Sequence, residues 1–245
     1  MDVSIVICTI NRAHFLTHSL FVLNKQIWNK NVFQIIIVDD GSTDDTKKVV
    51  DEYSSQLNIS YIYNDKKEYS SPAKARNIGW ETSKTQYICF TDPEVILPPY
   101  LLKTVYDYHM HHPNRITTVK PIMMDEVETE TFFKYSDRFH WLFNRDITQF
   151  ENSENEQIQK RKTWRDNHFS MMPRQALVDV DGVNENFTIW GFEGIDLIER
   201  IIDKGYPLYT VHDCVYHLWH SAPRDMNKAD EQRKQYGVKN CGKQS

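Results

Sequence analysis

Tyr87-Ile88-Cys89-Phe90-Thr91-Asp92-Pro93-Glu94 is an apolar run that breaks into two carboxylates one residue apart. A short apolar run bounded by polar residues reads as a buried strand. The acids then emerge at its C-terminal end, where open α/β sheets bind their ligands. Two close ionised carboxylates repel each other and call for a compensating cation. Hard oxygen ligands suit Mg²⁺ or Mn²⁺, and either ion can bridge phosphate oxygens. An acid pair at this spacing is also common in ordinary solvated turns, so its weight comes from the pattern around it.

Working outward, strand-like and helix-like segments alternate. Residues 3–8 form a β-rich apolar run that ends in Thr9-Ile10-Asn11-Arg12, and Phe15, Leu16, Leu20 and Leu23 then share one helical face. Residues 34–38 read as a second buried strand, closed by Asp39-Asp40-Gly41-Ser42. Thr43 is the expected cap of the next helix, with Asp44 and Asp45 near its positive end. Residues 59–63 give a third strand, and Pro72 opens a helix through Ala75, Ile78 and Trp80. This alternation predicts an α/β fold: a single Rossmann-like, mostly parallel sheet flanked by helices. Further on, helices are expected over 98–111, 174–180 and 196–204, the last stopped by Gly205 and Pro207. Strands are expected over 116–120, 169–172, 208–211 and 214–218. Residues 125–165 are polar, with Phe132, Phe133, Trp141 and Phe143 scattered at weak periodicity. From about residue 224 the chain is charged, and a peripheral tail is expected.

Composition narrows the classes. A chain of 245 residues, 40% hydrophobic, can bury the core of one large α/β domain. A net charge of -5 without a basic block argues against a nucleic-acid partner. No apolar stretch approaches the ~20 residues of a membrane span, and no cleavable leader is expected. Cys8, Cys89, Cys214 and Cys241 are widely spaced, which favours a reducing, cytoplasmic setting. Peripheral membrane association through the tail stays open.

Three polar breaks follow strands, and parallel strands place their ends on one rim. Thr9, Asp40 and Asp92 should therefore meet in one crevice, where an Asp can accept from a uracil N–H or from ribose hydroxyls. Lys74 and Arg76 add donors that could face a diphosphate, although a lone basic residue on a helix, Arg76 included, more often faces solvent. Trp190-Gly191-Phe192-Glu193-Gly194-Ile195-Asp196-Leu197 is a second acidic site. A carboxylate at Glu193 gains from the dipole of the helix that follows, and a glycine-flanked indole can hinge over a sugar face. The same octapeptide reads equally well as a capped helix beside a buried Trp190. His217 and His220 follow the last strand; an imidazole there can complete an acidic metal site, although a lone His is more often a hydrogen-bonded structural residue. With His212 they lack the helical spacing of a zinc protease.

Together these motifs make the chain resemble family-2-like glycosyltransferases of GT-A fold. V-S-I-V-I-C-T-I-N-R from Val3 is similar to their first strand and turn, and I-I-V-D-D-G-S-T-D-D-T from Ile36 to their nucleotide-binding second strand. A-R-N-I-G-W from Ala75 resembles the helix before the metal motif, and F-T-D-P-E from Phe90 stands in the place of D-x-D. V-D-G-V-N-E-N-F from Val180 resembles the turn before the acceptor site. W-G-F-E-G-I-D-L resembles the W-G-x-E-D segment of galactosyltransferase and polypeptide N-acetylgalactosaminyltransferase domains.

The resemblance implies a catalytic domain over residues 1–220, with 1–120 as its nucleotide-sugar half, 121–220 as its acceptor and catalytic half, and 221–245 as a tail. Thr9, Asp40 and Arg76 would hold the nucleotide of a UDP-sugar, with Asn11, Arg12, Asp39, Lys74 and Thr91 contributing. Asp92 would meet the ribose or a Mn²⁺ or Mg²⁺ ion, and Glu94 and His217 would bind that ion, with His220 as the substitute. Trp190 and Gly191 match a loop that closes over the donor.

Two positions depart from the pattern. Glu94 replaces the second Asp of D-x-D, and Gly194 replaces the Asp that serves inverting relatives as base. Glu193, or else Asp196, must then take that role. Retaining relatives also lack that Asp, so a retaining outcome of the polypeptide N-acetylgalactosaminyltransferase type stands beside the expected inversion. The implied reaction moves a hexose or N-acetylhexosamine to a hydroxyl of a glycan, lipid-linked or peptide acceptor. A sugar-nucleotide pyrophosphorylase would need a glycine-rich loop where Thr9-Ile10-Asn11-Arg12 stands. A non-catalytic binding module would have no use for the acid at Glu193.

Overall fold

A computed structural model describes residues 1–65, 71–138, 168–221 and 226–238. Eight strands form one sheet: β1 Val3–Thr9, β2 Phe33–Asp39, β3 Ile59–Tyr63, β4 Tyr87–Thr91, β5 Val95–Ile96, β6 Ile116–Met123, β7 Phe169–Pro173 and β8 Leu208–His217. Their spatial order is β3-β2-β1-β4-β7-β6-β8-β5. The pairs β1–β2, β1–β4, β2–β3 and β6–β8 are parallel, whereas β7 runs antiparallel to both β4 and β6, and β5 antiparallel to β8. Residues 208–217 make one strand rather than two. A register shift opposite Val119 and Lys120 absorbs the break in its apolar pattern.

The helices are α1 Ala13–Asn24, α2 Thr46–Tyr53, α3 Pro72–Thr82, α4 Leu101–His111, α5 Glu126–Lys134, α6 Arg174–Asp179, α7 Glu193–Asp203 and α8 Met226–Gln235. Strand alternation sorts them into layers. Val3, Ile5, Ile7, Ile35 and Ile37 pack with Leu16 and Leu20 of α1, Val50 of α2, and Leu101 and Val105 of α4. Val6, Ile36 and Val38 face the other way, onto Ala75 of α3, Leu177 of α6 and Ile198 of α7. Gly79 lets α3 press against β1, since a Cβ there would lie 2.3 Å from Val6 Cγ1.

Local structure departs from the sequence expectation at some places and completes it at others. The expected cap Thr43 instead donates its N–H and hydroxyl to Asn11 Oδ1, while Asp44 accepts from the backbone N–H and hydroxyl of Thr46. A capping box between Asp125 and Glu128 fixes α5 at the start of the weakly periodic stretch; Trp141 and Phe143 lie outside the described residues. The charged C-terminal segment holds α8, whose Ala229 is buried. Among the described residues no helix is long and apolar enough to cross a membrane.

Candidate active site

The order β2-β1-β4 makes the rim between β1 and β4 a topological switch point. Just beyond it lies Arg76, on the second turn of α3, a helix capped by Ser71. Arg76 is only 4% exposed. Its Nη1 donates to Glu193 Oε1 at 2.5 Å, and its Nη2 to Asp92 Oδ1 at 3.1 Å. Glu193 opens α7 behind two unusual backbone conformations, Gly191 at φ +135° and Phe192 at φ +64°. That twist brings the Gly191 N–H to Glu193 Oε2 at 2.8 Å. Asp92 Oδ2 lies 3.6 Å from Nδ1 of His168.

These buried charges shift one another. Burial raises the Glu193 carboxyl pKa, and Arg76 offsets this only in part. Burial also works against ionised Asp92, but His168 and Arg76 outweigh it and hold that carboxyl below the usual range. Burial would lower the pKa of Arg76, yet Glu193 and Asp92 raise it.

A second cluster adjoins this ion-pair set. Antiparallel pairing of β5 with β8 sets Val95 opposite His217, and the Leu218 N–H donates to Glu94 O at 2.9 Å. Glu94, His217 and His220 thereby offer ligand atoms within 4.8 Å of one another. His220 Nε2 lies 3.1 Å from Glu94 Oε1. Both ring nitrogens of His217 and Nδ1 of His220 are buried without a hydrogen-bond partner. Orphaned buried nitrogens are costly in a purely structural role, and neutral imidazole is the form that ligates metal. Burial, with help from His168, lowers the His217 pKa to about 4. This donor set fits a divalent ion, and two imidazoles beside a carboxylate suit Mn²⁺ better than Mg²⁺. Of the three ligands expected from sequence, Glu94 and His217 lie in this cluster. Asp92 is instead engaged by Arg76 and His168, and the substitute His220 joins the other two.

The remaining expected residues divide between site and scaffold. Thr9 Oγ1 is buried without a hydrogen-bond partner, while its carbonyl accepts from the Asp40 N–H. Asp40 is buried and accepts from Asn64. Both oxygens of Asp39 hold structure, one taking the Ser42 N–H and the other the Tyr61 hydroxyl. Asn11 ties the two strand-end loops together through Ser42 and Thr43. Arg12 lies over the Phe15 ring, and Lys74 is exposed. Thr91 donates its hydroxyl to the His168 carbonyl at 3.0 Å, anchoring the residue that flanks Asp92. Trp190 is half-buried. Asp196 pairs with Arg200, whose other nitrogens donate to the carbonyls of Val180 and Gly182.

Sequence reasoning passed over His168 and Asn77. A lone His before a strand carries little signal until β7 is placed beside β4. The ring then packs edge-on against His217, with centroids 4.5 Å apart. Asn77 could have been suspected from its place in A-R-N-I-G-W. Its side chain accepts from Trp80 Nε1 and the Val183 N–H, and donates to the Val183 carbonyl and to Glu185.

The mixed sheet, with its parallel β3-β2-β1-β4 half and an antiparallel β7 beyond the switch point, has the architecture of a GT-A fold. The chain belongs to glycosyl transferase family 2, whose model matches residues 4–186. A second model, the N-terminal domain of galactosyltransferase, matches residues 168–221. Validoxylamine A glucosyltransferase of Streptomyces hygroscopicus subsp. jinggangensis is 27% identical over 84% of this chain. The chain spans about half of that relative, 52% of its length. The poly(ribitol-phosphate) beta-N-acetylglucosaminyltransferase TarS of Staphylococcus aureus is 27% identical over 49% of this chain and 21% of its own. The structure of S. aureus TarS 1-349 with UDP-GlcNAc superposes with a TM-score of 0.73 at 16% identity, covering 97% of this chain and 66% of that one. The mannosyltransferase PcManGT of Pyrobaculum calidifontis, with GDP-Man and Mn²⁺, gives a TM-score of 0.66 at 15% identity, covering 96% and 61%.

Proposed function

We propose that this glycosyltransferase moves a hexose or N-acetylhexosamine from a UDP-sugar to a hydroxyl of a glycan, lipid-linked or peptide acceptor, inverting the anomeric carbon. The observation that carries this reading is Arg76, which joins Asp92 to Glu193 across the rim. It puts a candidate base in register with the acid that ends β4. Thr9 and Asp40 lie on the neighbouring strand ends, where they would receive the nucleoside, as the bound TarS neighbour suggests by analogy. Glu94, His217 and His220 would hold Mn²⁺ or Mg²⁺, which when bound neutralises charge developing on the departing UDP.

Glu193 would accept the acceptor's hydroxyl proton as the oxygen attacks in line. The new C–O bond forms while the bond to UDP breaks, and the electron pair leaves on the β-phosphate oxygen. Each carboxylate oxygen of Glu193 already takes one N–H, from Arg76 or from Gly191, but a carboxylate offers about four lone-pair sites, so capacity for the proton remains. Burial that raises the Glu193 pKa makes it a better base near neutral pH.

The test is UDP release from UDP-glucose and UDP-N-acetylglucosamine, with Mn²⁺ or with excess chelator. Glu193→Gln should cost about 100-fold or more in turnover while leaving UDP affinity nearly intact. Unchanged turnover in that variant would remove Glu193 from the role. Full activity in chelator would remove the metal.

A further inference from the structure

Helix α8 lies beyond both stretches matched by the family models, yet it packs on the loop that carries Glu193. Ala229 is buried against Gly191, and a Cβ on that glycine would stand 3.6 Å from the Ala229 methyl. The Arg233 guanidinium sits over the Phe192 ring at 5.7 Å. Gln232 Nε2 donates to Thr188 Oγ1 at 2.8 Å. Just past the helix, Tyr236 meets Phe187 with ring centroids 5.0 Å apart, and Val238 is buried in the core beside α7.

The contacts of Ala229, Gln232 and Arg233 fall on Gly191, Thr188 and Phe192, the residues that lead into Glu193. Gly191 and Phe192 hold the two positive-φ conformations of that loop, and Gly191 supplies the N–H that fixes Glu193 Oε2. A left-handed backbone at a non-glycine residue such as Phe192 is strained and persists only where its surroundings enforce it, whereas Gly191 adopts positive φ freely. Two groups restrain the Glu193 carboxylate: Arg76 on one oxygen and the loop on the other.

We propose that α8 is a positioning element for this loop, and that Ala229, Gln232 and Arg233 set the transfer rate by holding Gly191 and Phe192 where Glu193 meets Arg76. The inference rests on Glu193 being the base. Misplacing a catalytic group by about 1 Å can cost on the order of 100-fold without altering the rest of the site. A helix that merely covered the core would affect stability and donor binding alike, whereas a positioning helix affects kcat selectively.

The experiment uses the full chain with Ala229→Leu, which wedges α8 away from Gly191, the double variant Gln232→Ala/Arg233→Ala, and Arg233→Lys, which keeps a cation over Phe192. UDP release from UDP-glucose and UDP-N-acetylglucosamine, UDP affinity by calorimetry and thermal unfolding are measured for each. The first two variants should lose about 10-fold or more in kcat, with donor KM and UDP affinity within about twofold of the parent. Arg233→Lys should keep kcat close to that of the parent. Unchanged kcat in both disruptive variants would overturn the proposal, as would a fall in kcat matched by lost UDP affinity or by lost cooperative unfolding. Glu193→Gln is assayed alongside. If it turns over normally, the base assignment fails whatever α8 does. If it is inactive while the α8 variants keep full kcat, the base assignment stands and this inference falls.

Discussion

At the residue scale the site is a buried three-charge set, and Arg76 is its middle. Removing one partner from a buried ion pair leaves an uncompensated charge, at a cost of about 3–5 kcal/mol. Arg76→Met should therefore destabilise the domain by that order, seen as a lower urea midpoint. Arg76→Lys keeps the charge, but a single ammonium cannot reproduce a planar fork that reaches Glu193 and Asp92 from two different nitrogens. That variant should fold and keep a reduced, measurable activity. The pH dependence has a definite sign. Burial raises the Glu193 carboxyl pKa, and the proposed base role needs its ionised form, so turnover should fall as pH drops through that pKa. In Arg76→Lys the distal nitrogen contact is lost, and the acid limb of the kcat profile should move to higher pH. A limb that stays in place would mean that Glu193 is not the group titrating. For Asp92 the linkage runs the other way. Its folded pKa is depressed, so its contribution to stability is present above the unfolded value of about 3.9 and is lost as pH falls through the folded one.

At the scale of elements, the Asn77 side chain fastens α3 to the turn that precedes α6's neighbour α7. Gly182 in that turn adopts φ +66°, and a Cβ there would come within 2.6 Å of Asn77 Oδ1. Asn77→Ala would strand the Val183 N–H and the Trp80 Nε1–H, each worth about 1–3 kcal/mol when buried unpaired. The urea midpoint should drop with the m-value unchanged; a midpoint within error of the parent would show that the turn is held by other contacts. The same elements show what a sequence can and cannot reveal. β1, β2 and β4 were legible because a strand buried on both faces is a plain apolar run, and each one ends in polar residues. The direction of β7 was not legible, because a run such as Phe169-Ser170-Met171-Met172 is equally buried in either orientation. His168 stayed hidden for the same reason, since its contact with Asp92 exists only once β7 pairs with β4. α7 begins at Glu193, three residues before the expected start, because Gly194 reads as a breaker in isolation but sits in a first turn secured by the Gly191–Phe192 twist. Within the site, Arg76, Glu94, Glu193 and His217 could be singled out from motifs. The division of labour between Asp92 and His220 depends on where β8 ends against β5.

At the scale of the whole molecule, cation binding and proton binding should both be readable in stability. His18, His109 and His217 are each held neutral, with pKa lowered to about 4 chiefly by burial. The unfolded chain binds protons at these positions below about pH 6.5, and the folded chain does so only near pH 4. More protons on the unfolded state mean that stability falls as pH drops through this window. Thermal midpoints measured in excess chelator should decline steadily from pH 6.5 to 4. His109→Leu should flatten that slope because it removes one of these depressed imidazoles, while Thr117 Oγ1 keeps its bond to the Met171 carbonyl. A divalent ion that binds only the folded state would add stability by mass action, about 2.7 kcal/mol at a hundredfold excess over Kd. For a domain of this size that amounts to roughly 5–10 °C. Mn²⁺ should give such a shift in the parent and in His109→Leu, and none in His217→Ala. If His217→Ala keeps the full Mn²⁺ shift, the ion is held somewhere other than the corner where β5 meets β8.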